Sequence, residues 1–433
     1  MKELINNLKG DKVIWTFVAL LALFSFMPVF SASSNLAYLG KGTGNTISYL
    51  LTHLAHIFMG FLIIYAVHKI PYHYFRAISK IALPVVWALL VFTLIRGTVI
   101  AGANASRWIK LPFIGITFQT STFAFVVLMV FVARYLSKKS EVPMTFKSSF
   151  IELWLPVFIT LVLILPANFS TTALIFAMVL MLTFVGNYPI KYLAVVVGSG
   201  VVCLVFFVVL SKAFPDSKFF NRVGTWTSRI ENYTSNKPGE DDYQIKNAKI
   251  AIASGGIYGL GPGKSVQKNV LPQSSSDFIY AIIVEEYGLI GGLLVLGLYL
   301  LLFFRFMVAA HKANTLFGKL LVVGLGFPMI FQALINMGVA VELLPVTGQT
   351  LPLISSGGSS IWMTCVSLGI IISVTKKDEE IALEQSESEK RDMILQKLID
   401  EQIEKENAVE EVEEDNYSIE DTSKNPMDAV LKK

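Results

Sequence analysis

The chain has 433 residues, of which 54% are hydrophobic and only 16% charged, with a mean hydropathy of +0.59 and a formal net charge of +4. That balance lies well off the globular average and excludes a purely soluble domain or a nucleic-acid binder as the body of the protein. The charge is also divided: residues 376–433 hold 19 acidic against 9 basic residues, and the preceding residues 27 basic against 13 acidic.

Windows of about 17 to 25 apolar residues, the length that crosses roughly 30 Å of hydrocarbon, recur along the chain. They predict ten spans, near 13–30, 48–67, 79–95, 113–133, 151–166, 171–186, 189–211, 279–304, 318–340 and 359–374. The expected fold class is all-α, a polytopic membrane domain over 13–375 preceded by residues 1–12. An even number of spans puts both termini on one side. The first apolar run ends on the small residues "VFSAS", but its length marks a retained span and not a cleaved leader. In the second span His53 and His56 stand three apart with no evident third ligand, so they read as paired polar core residues before they read as a metal site.

Cations gather on one set of loops: Lys2, Lys9 and Lys12; Lys69, Arg76 and Lys80; Arg134, Lys138, Lys139 and Lys147; Arg305, Lys312 and Lys319. Lys and Arg near helix ends resist translocation, which makes that face and both termini cytoplasmic. Cys203 and Cys365 fall inside apolar spans, where free Cys behaves as a small hydrophobe, and no disulfide framework is implied.

Between spans seven and eight lies a long outer segment, residues 212–278. Within it "DDYQIKNAKIAIASGG" predicts a helix opened by Asp241 and Asp242 and stopped by Gly255 and Gly256. Its Ile245, Ala248 and Ile252 share one face, with Lys246 and Lys249 on another. That pattern suits either a helix on an anionic membrane surface or one packed on the spans. "GLGPGKS" is not a phosphate loop, because Tyr258 stands where the motif needs Gly. Its glycines, with Lys264 and Lys268, can still present backbone amides and charges to an anion.

Asp277 is the only acidic residue between Asp242 and Glu285, and it lies where the loop turns apolar. Glu285 and Glu286 follow two turns into span eight. Adjacent carboxylates on a helix point in different directions, so they are not expected to act together on one bond; structural support and ligand contact both stay open. Beyond the last span the charge blocks argue against a packed core and suggest a disordered cytoplasmic tail. In it "KRDMILQKLIDEQIEKE" spaces Met393, Ile394, Leu398 and Ile403 closely enough to a helical period to allow a short amphipathic helix.

Five stretches recur in a set order: "ANASRWI" at 103–109, "RVGTW" at 222–226, "YQIKNAKIAIASGGIYGLGPGKSVQK" at 243–268, "LPQSSSDFIYAIIVEEYGLIGG" at 271–292 and "TGQTLPLISSGGSS" at 347–360. With ten spans and a long fourth outer loop, they resemble the SEDS family, which includes FtsW, RodA and SpoVE. The resemblance covers most of residues 12–375, and the "SVQK" form of the loop looks more like FtsW.

It implies a peptidoglycan glycosyltransferase that polymerises lipid II into glycan strands at the outer face of the bacterial cytoplasmic membrane, for septal wall synthesis. Implied partners are a class B penicillin-binding protein transpeptidase and other division proteins. The family's catalytic aspartate maps onto Asp277. Arg107, Lys264, Gln267, Lys268, Pro272, Ser276, Glu285 and Glu286 are the residues expected at the substrate. A glycosidase needs two carboxyl groups, one to protonate a poor leaving group. A polyprenyl pyrophosphate leaves without protonation, so one base can suffice for an inverting transfer. Arg107, Lys264 and Lys268 would face the departing pyrophosphate, with or without a divalent metal ion. Two other readings stay open: a lipid II flippase, suggested by polar residues within the spans, and a non-catalytic scaffold for the transpeptidase.

Departures from the family pattern are equally plain. Thr122 and Phe125 occupy the acidic and basic places of an intramembrane ion pair, and Asn168 replaces an Asp. Ser275 and Ser276 stand before Asp277 in place of His-Thr, and Ser356 replaces a Tyr. Losing both members of an ion pair removes a burial cost without leaving one charge unpaired.

Overall fold

The computed structural model describes residues 8–39, 46–97, 108–110, 117–139, 145–213, 240–376, 386 and 389–403. The chain forms two compact units, Met1–Thr375 and Lys376–Lys433. In the first, the helices are α1 Lys12–Leu39, α2 Thr46–Lys69, α3 Phe75–Arg96, α4 Thr120–Lys139, α5 Leu155–Ile164, α6 Phe169–Val185, α7 Ile190–Ala213, α8 Glu240–Gly255, α9 Ile279–Lys312, α10 Leu316–Ala340 and α11 Gly358–Val374. Eight helical runs are long and apolar enough to cross a membrane, α5 qualifying through the continuous run Phe146–Ile164, and α6 and α11 are shorter apolar helices. The ten expected segments are all helical.

Span four begins at Thr120 and not near residue 113. Thr117–Gln119 pairs as an antiparallel strand with Trp108–Lys110, Ile109 opposite Phe118. A three-residue apolar strand running into a helix has no period of its own, so hydropathy alone merges the two.

Helix starts are set by side-chain caps. Asp11 Oδ1 accepts the Val13 N–H at 2.9 Å, Asn168 caps α6 through the Thr171 N–H at 3.3 Å, and Thr315 caps α10 through Gly318 at 3.1 Å. Asn caps about as well as Asp, so the departure at 168 preserves this start. Where the family pattern has its ion pair, the Thr122 hydroxyl donates to the Gln119 carbonyl at 2.8 Å and Phe125 packs on the core. Beside them a cavity of about 20 Å³ is lined by Thr93, Thr120, Ser121 and Asn168, room for about one water.

Helices α4 and α10 form the centre, each 72% buried, and pack on one another. At the periphery α7 is only 6% buried and leans chiefly on α6. An apolar face left open needs no protein partner in a bilayer, because lipid tails are as apolar as leucine. Helix α8 takes the packed alternative: Ile245, Ala248 and Ala251 are buried, and it lies against α9.

Polar clasps join distant helices. Arg305 Nε lies 2.6 Å from Asp11 Oδ2, and the Asp11 N–H reaches Thr375 Oγ1 at 2.9 Å, tying together the ends of α1 and α11 with α9. Arg305, counted above as a loop cation, therefore sits within a helix. His53 bonds Ser25 at 2.9 Å, whereas the His56 ring meets Trp362, so the two histidines serve different neighbours. In the second unit residues 389–403 are helical, the stretch whose apolar spacing allows an amphipathic helix.

Candidate active site

Helix α9 is broken at Gly288, whose φ of 68° and ψ of −171° no helix accommodates. The break frees carbonyls on one side and N–H groups on the other, and buried backbone groups must find partners. The loop after α8 supplies them. Leu260 and Gly261 donate to the Glu285 and Glu286 carbonyls, both at 2.9 Å. In return Leu289 and Ile290 donate to the Gly256 and Ile257 carbonyls, at 2.9 and 3.3 Å. Only glycine permits this approach: a Cβ on Gly259 would stand 2.2 Å from the Glu286 carbonyl oxygen, and one on Gly288 2.2 Å from that of Ile257.

Residues 289–312 are by themselves long enough to cross about 30 Å. Glu285 and Glu286 thus lie in the short helical piece just before the break, within the apolar run Ile279–Lys312 that contains the span expected from 279. They also converge where divergence was expected. Glu285 Oε1 accepts the N–H groups of Val266 and Gln267 at 3.0 and 3.2 Å, and its other oxygen accepts the Ser265 hydroxyl. Glu286 Oε1 accepts the Ser265 N–H at 3.3 Å and the Ser31 hydroxyl. The loop has wrapped around the end of the broken helix, so one residue, Ser265, meets both carboxylates. Both glutamates are buried at 1% exposure, and Glu286 Oε2 has no partner among the described residues.

Lys268 is half-buried, its Nζ 2.7 Å from the Gly263 carbonyl and 3.2 Å from Ser31 Oγ. Lys264 and Pro272 are exposed, and Gln267 keeps a buried Oε1 that has no partner among the described residues. Arg107 lies outside the described residues.

Asp277 is half-buried in the turn that leads into α9. Its carbonyl accepts a 2.7 Å bond from Asn336 Nδ2 of α10, which also donates to the Gln349 carbonyl at 2.7 Å. A Cβ on Gly348 would lie 3.4 Å from Asp277 Oδ2, so the loop 347–357 flanks the carboxylate. That loop is itself held by Tyr299, whose hydroxyl donates to the Pro352 carbonyl, and by Gln332, which donates to that of Thr350 at 2.9 Å. Ser355 donates to the Ser276 carbonyl at 2.6 Å, and Ser356 to that of Ser275 through both N–H and hydroxyl at 2.9 Å. Ser275 and Ser356, two departures from the family pattern, therefore touch. The Ser276 hydroxyl turns to the Gln273 side chain at 2.7 Å.

Asn336, Gln332 and Tyr299 escaped the sequence reading. Their signal was available: Gln332 and Asn336 are amides four residues apart on one face of an otherwise apolar span, where polar side chains are expensive. Among the described residues no group of three or more His, Cys, Asp or Glu side chains could hold a metal ion.

Ten apolar helical segments, and polar loops locked to one another around a single aspartate, define a multi-pass membrane protein with a built site. The chain belongs to the cell cycle protein family of FtsW, RodA and SpoVE, whose model matches residues 11–380. It is 31% identical over 380 residues to a probable peptidoglycan glycosyltransferase FtsW of Hydrogenovibrio crunogenus, covering 87% of this chain and 94% of that one. Identity to the protein of the same description from Coxiella burnetii is 28%, covering 84% and 96%. In fold it matches a chain of a peptidoglycan synthase complex described for coordinating polymerization and crosslinking, with a TM-score of 0.64 at 21% identity, covering 84% of this chain and 97% of that chain. The rod shape determining protein RodA of Thermus thermophilus aligns with a TM-score of 0.60 at 22% identity, covering 84% and 96%.

Proposed function

We propose that this protein is an inverting peptidoglycan glycosyltransferase that polymerises lipid II at the outer face of the cytoplasmic membrane, in septal wall synthesis. The observation that carries the reading is the seat of Asp277: a half-buried carboxylate flanked by Gly348, its backbone fixed by Asn336. A base must be held within hydrogen-bond reach of the proton it takes, and this clamp fixes the base before substrate arrives. Asp277 accepts the proton of the acceptor sugar's 4-hydroxyl as that oxygen bonds the anomeric carbon of the donor. The bond from that carbon to the pyrophosphate breaks, and the lipid pyrophosphate departs with the electron pair. Lys264, Lys268 and Arg107 are the basic residues proposed to steady that charge. Gln267, Pro272 and Ser276 belong to the substrate-facing loops, whereas Glu285 and Glu286 serve by holding residues 265–267. In this reading both termini are cytoplasmic, and a class B penicillin-binding protein is the proposed partner, since the structural relative comes from a synthase complex.

Asp277→Asn tests the reading. It preserves shape and removes the base, and general-base catalysis contributes roughly 10²- to 10⁴-fold. Lipid II polymerisation by matched amounts of wild-type and variant protein should fall to near background. Near-normal polymer from the variant would overturn it, and wild-type protein that moves labelled lipid II across vesicles without making polymer would establish the flippase in its place.

A further inference from the structure

Helix α11 begins among the site loops with its first turn uncapped. Gly357 is its N-cap residue and supplies no side-chain cap, and the one hydroxyl of the turn with a partner among the described residues is that of Ser360, bonded to Thr350 Oγ1 at 3.1 Å. The N–H groups of Gly358, Ser359 and Ser360 have no acceptor among the described residues. Such groups give a helix start its positive partial charge. Two more donors on the same helix have no partner among the described residues: the hydroxyl of Ser359, a residue 1% exposed, and the buried indole Nε1 of Trp362 one turn on. The His56 ring adjoins two members of this start: it meets Trp362 at 5.3 Å between centroids and lies 2.7 Å, at Nε2, from where a Cβ on Gly358 would stand. The great majority of buried polar groups are paired in folded proteins. The first-turn N–H groups, Ser359 in the same turn and Trp362 three residues further on the same helix surface give this helix start several donors without a partner among the described residues, and the complement of such a set is an anionic oxygen.

We propose that this helix start binds a phosphate oxygen of the lipid-linked pyrophosphate, an assignment that rests on the glycosyltransferase reading and names the anchor of its substrate. Ser356, Gly357, Gly358 and Ser360 are only partly buried, so a ligand can reach the turn. Ser356 bonds Ser275, two residues before Asp277, so the anion and the base are held on one clamp. Lys268 already has the Gly263 carbonyl and Ser31 as partners, which leaves the uncapped helix as the better-prepared anion site.

The test uses full-length protein in nanodiscs of neutral lipid and polyprenyl pyrophosphate as the probe, with affinity and thermal stability read without turnover. Ser359→Ala removes a hydroxyl that has no partner in the unliganded protein, so the apo melting temperature should stay level or rise. Affinity for the probe should fall about tenfold, as expected for losing a hydrogen bond to a charged group. Trp362→Phe should weaken binding similarly. Unchanged affinity in Ser359→Ala, or a fall matched by a lower apo melting temperature, overturns the proposal. Phosphatidylglycerol in the nanodisc should not compete; if it displaces the probe at equal concentration, the site is one for lipid headgroups and the pyrophosphate assignment fails. Protein that binds the probe through Ser359 yet makes no polymer would sink the enzyme reading and keep the site. Protein that makes polymer while Ser359→Ala binds normally would do the reverse.

Discussion

Asn336 of α10 donates a 2.7 Å bond to the main-chain carbonyl of Asp277. The same amide nitrogen bonds the Gln349 carbonyl at 2.7 Å, so one side chain fixes both loops of the site. Asn336→Leu fills similar space but leaves two carbonyls without their donor. An unsatisfied buried group costs about 1 to 3 kcal/mol, and the loop carrying Asp277 should loosen. Polymerisation should drop at least tenfold with most of the protein still folded, read from lipid II turnover beside size-exclusion profiles. Wild-type turnover from Asn336→Leu would show that the clamp does not position the base.

The interlock of the α8 loop with the broken α9 predicts a steep contrast among glycines. Gly259→Ala and Gly288→Ala each push a Cβ to 2.2 Å from a backbone carbonyl oxygen, whereas a Cβ on Gly256 meets nothing within 4 Å. Gly256→Ala bears only the left-handed backbone penalty of about 1 to 2 kcal/mol. The first two should abolish the folded peak in fluorescence-detected size exclusion, and Gly256→Ala should keep it at a modestly lower melting temperature.

Glu285 holds residues 265–267 by three bonds. Glu285→Gln keeps an acceptor oxygen for the two N–H groups and offers Ser265 a donor, so a mild loss is expected. Glu285→Ala strands all three donors. Hydrogen exchange over residues 261–270 should rise sharply in the Ala variant and little in the Gln variant; equal exchange in both would refute the holding role.

The Asp11–Arg305 pair, at 2.6 Å, joins residues 294 apart in the chain. Asp11→Ala removes both the pair and the cap of α1, with an expected cost of about 1 to 2 kcal/mol. A double-mutant cycle with Arg305→Met should show coupling in detergent melting temperature. Strict additivity would mean that the pair contributes nothing and only the cap matters.

Hydropathy was enough to find the ten apolar segments, because crossing lipid requires a length of apolar chain that each window carries within itself. The helix ahead of the glycine loop was legible for the same local reason, from acidic residues at its start and paired glycines at its stop. Asp277 stood out as a lone carboxylate at the edge of an apolar run. Residue 113 could not be told from residue 120 as the start of span four, since a short apolar strand and the first turn of a helix look alike.

What the chain could not disclose locally were relations between distant residues. That Glu285 and Glu286 meet at Ser265 depends on a break at Gly288, and the break is tolerated only because a loop some thirty residues earlier satisfies the groups it frees. That α8 packs against the bundle was decided by the surface α9 offers it. Asn336 gained its role only when α10 came beside both the turn at 277 and the loop at 349. Apolar length and helix stops are properties of a contiguous stretch and so were written in the sequence. Hydrogen-bond partners across a membrane bundle are chosen by which helices pack together, and packing is decided by all of them at once.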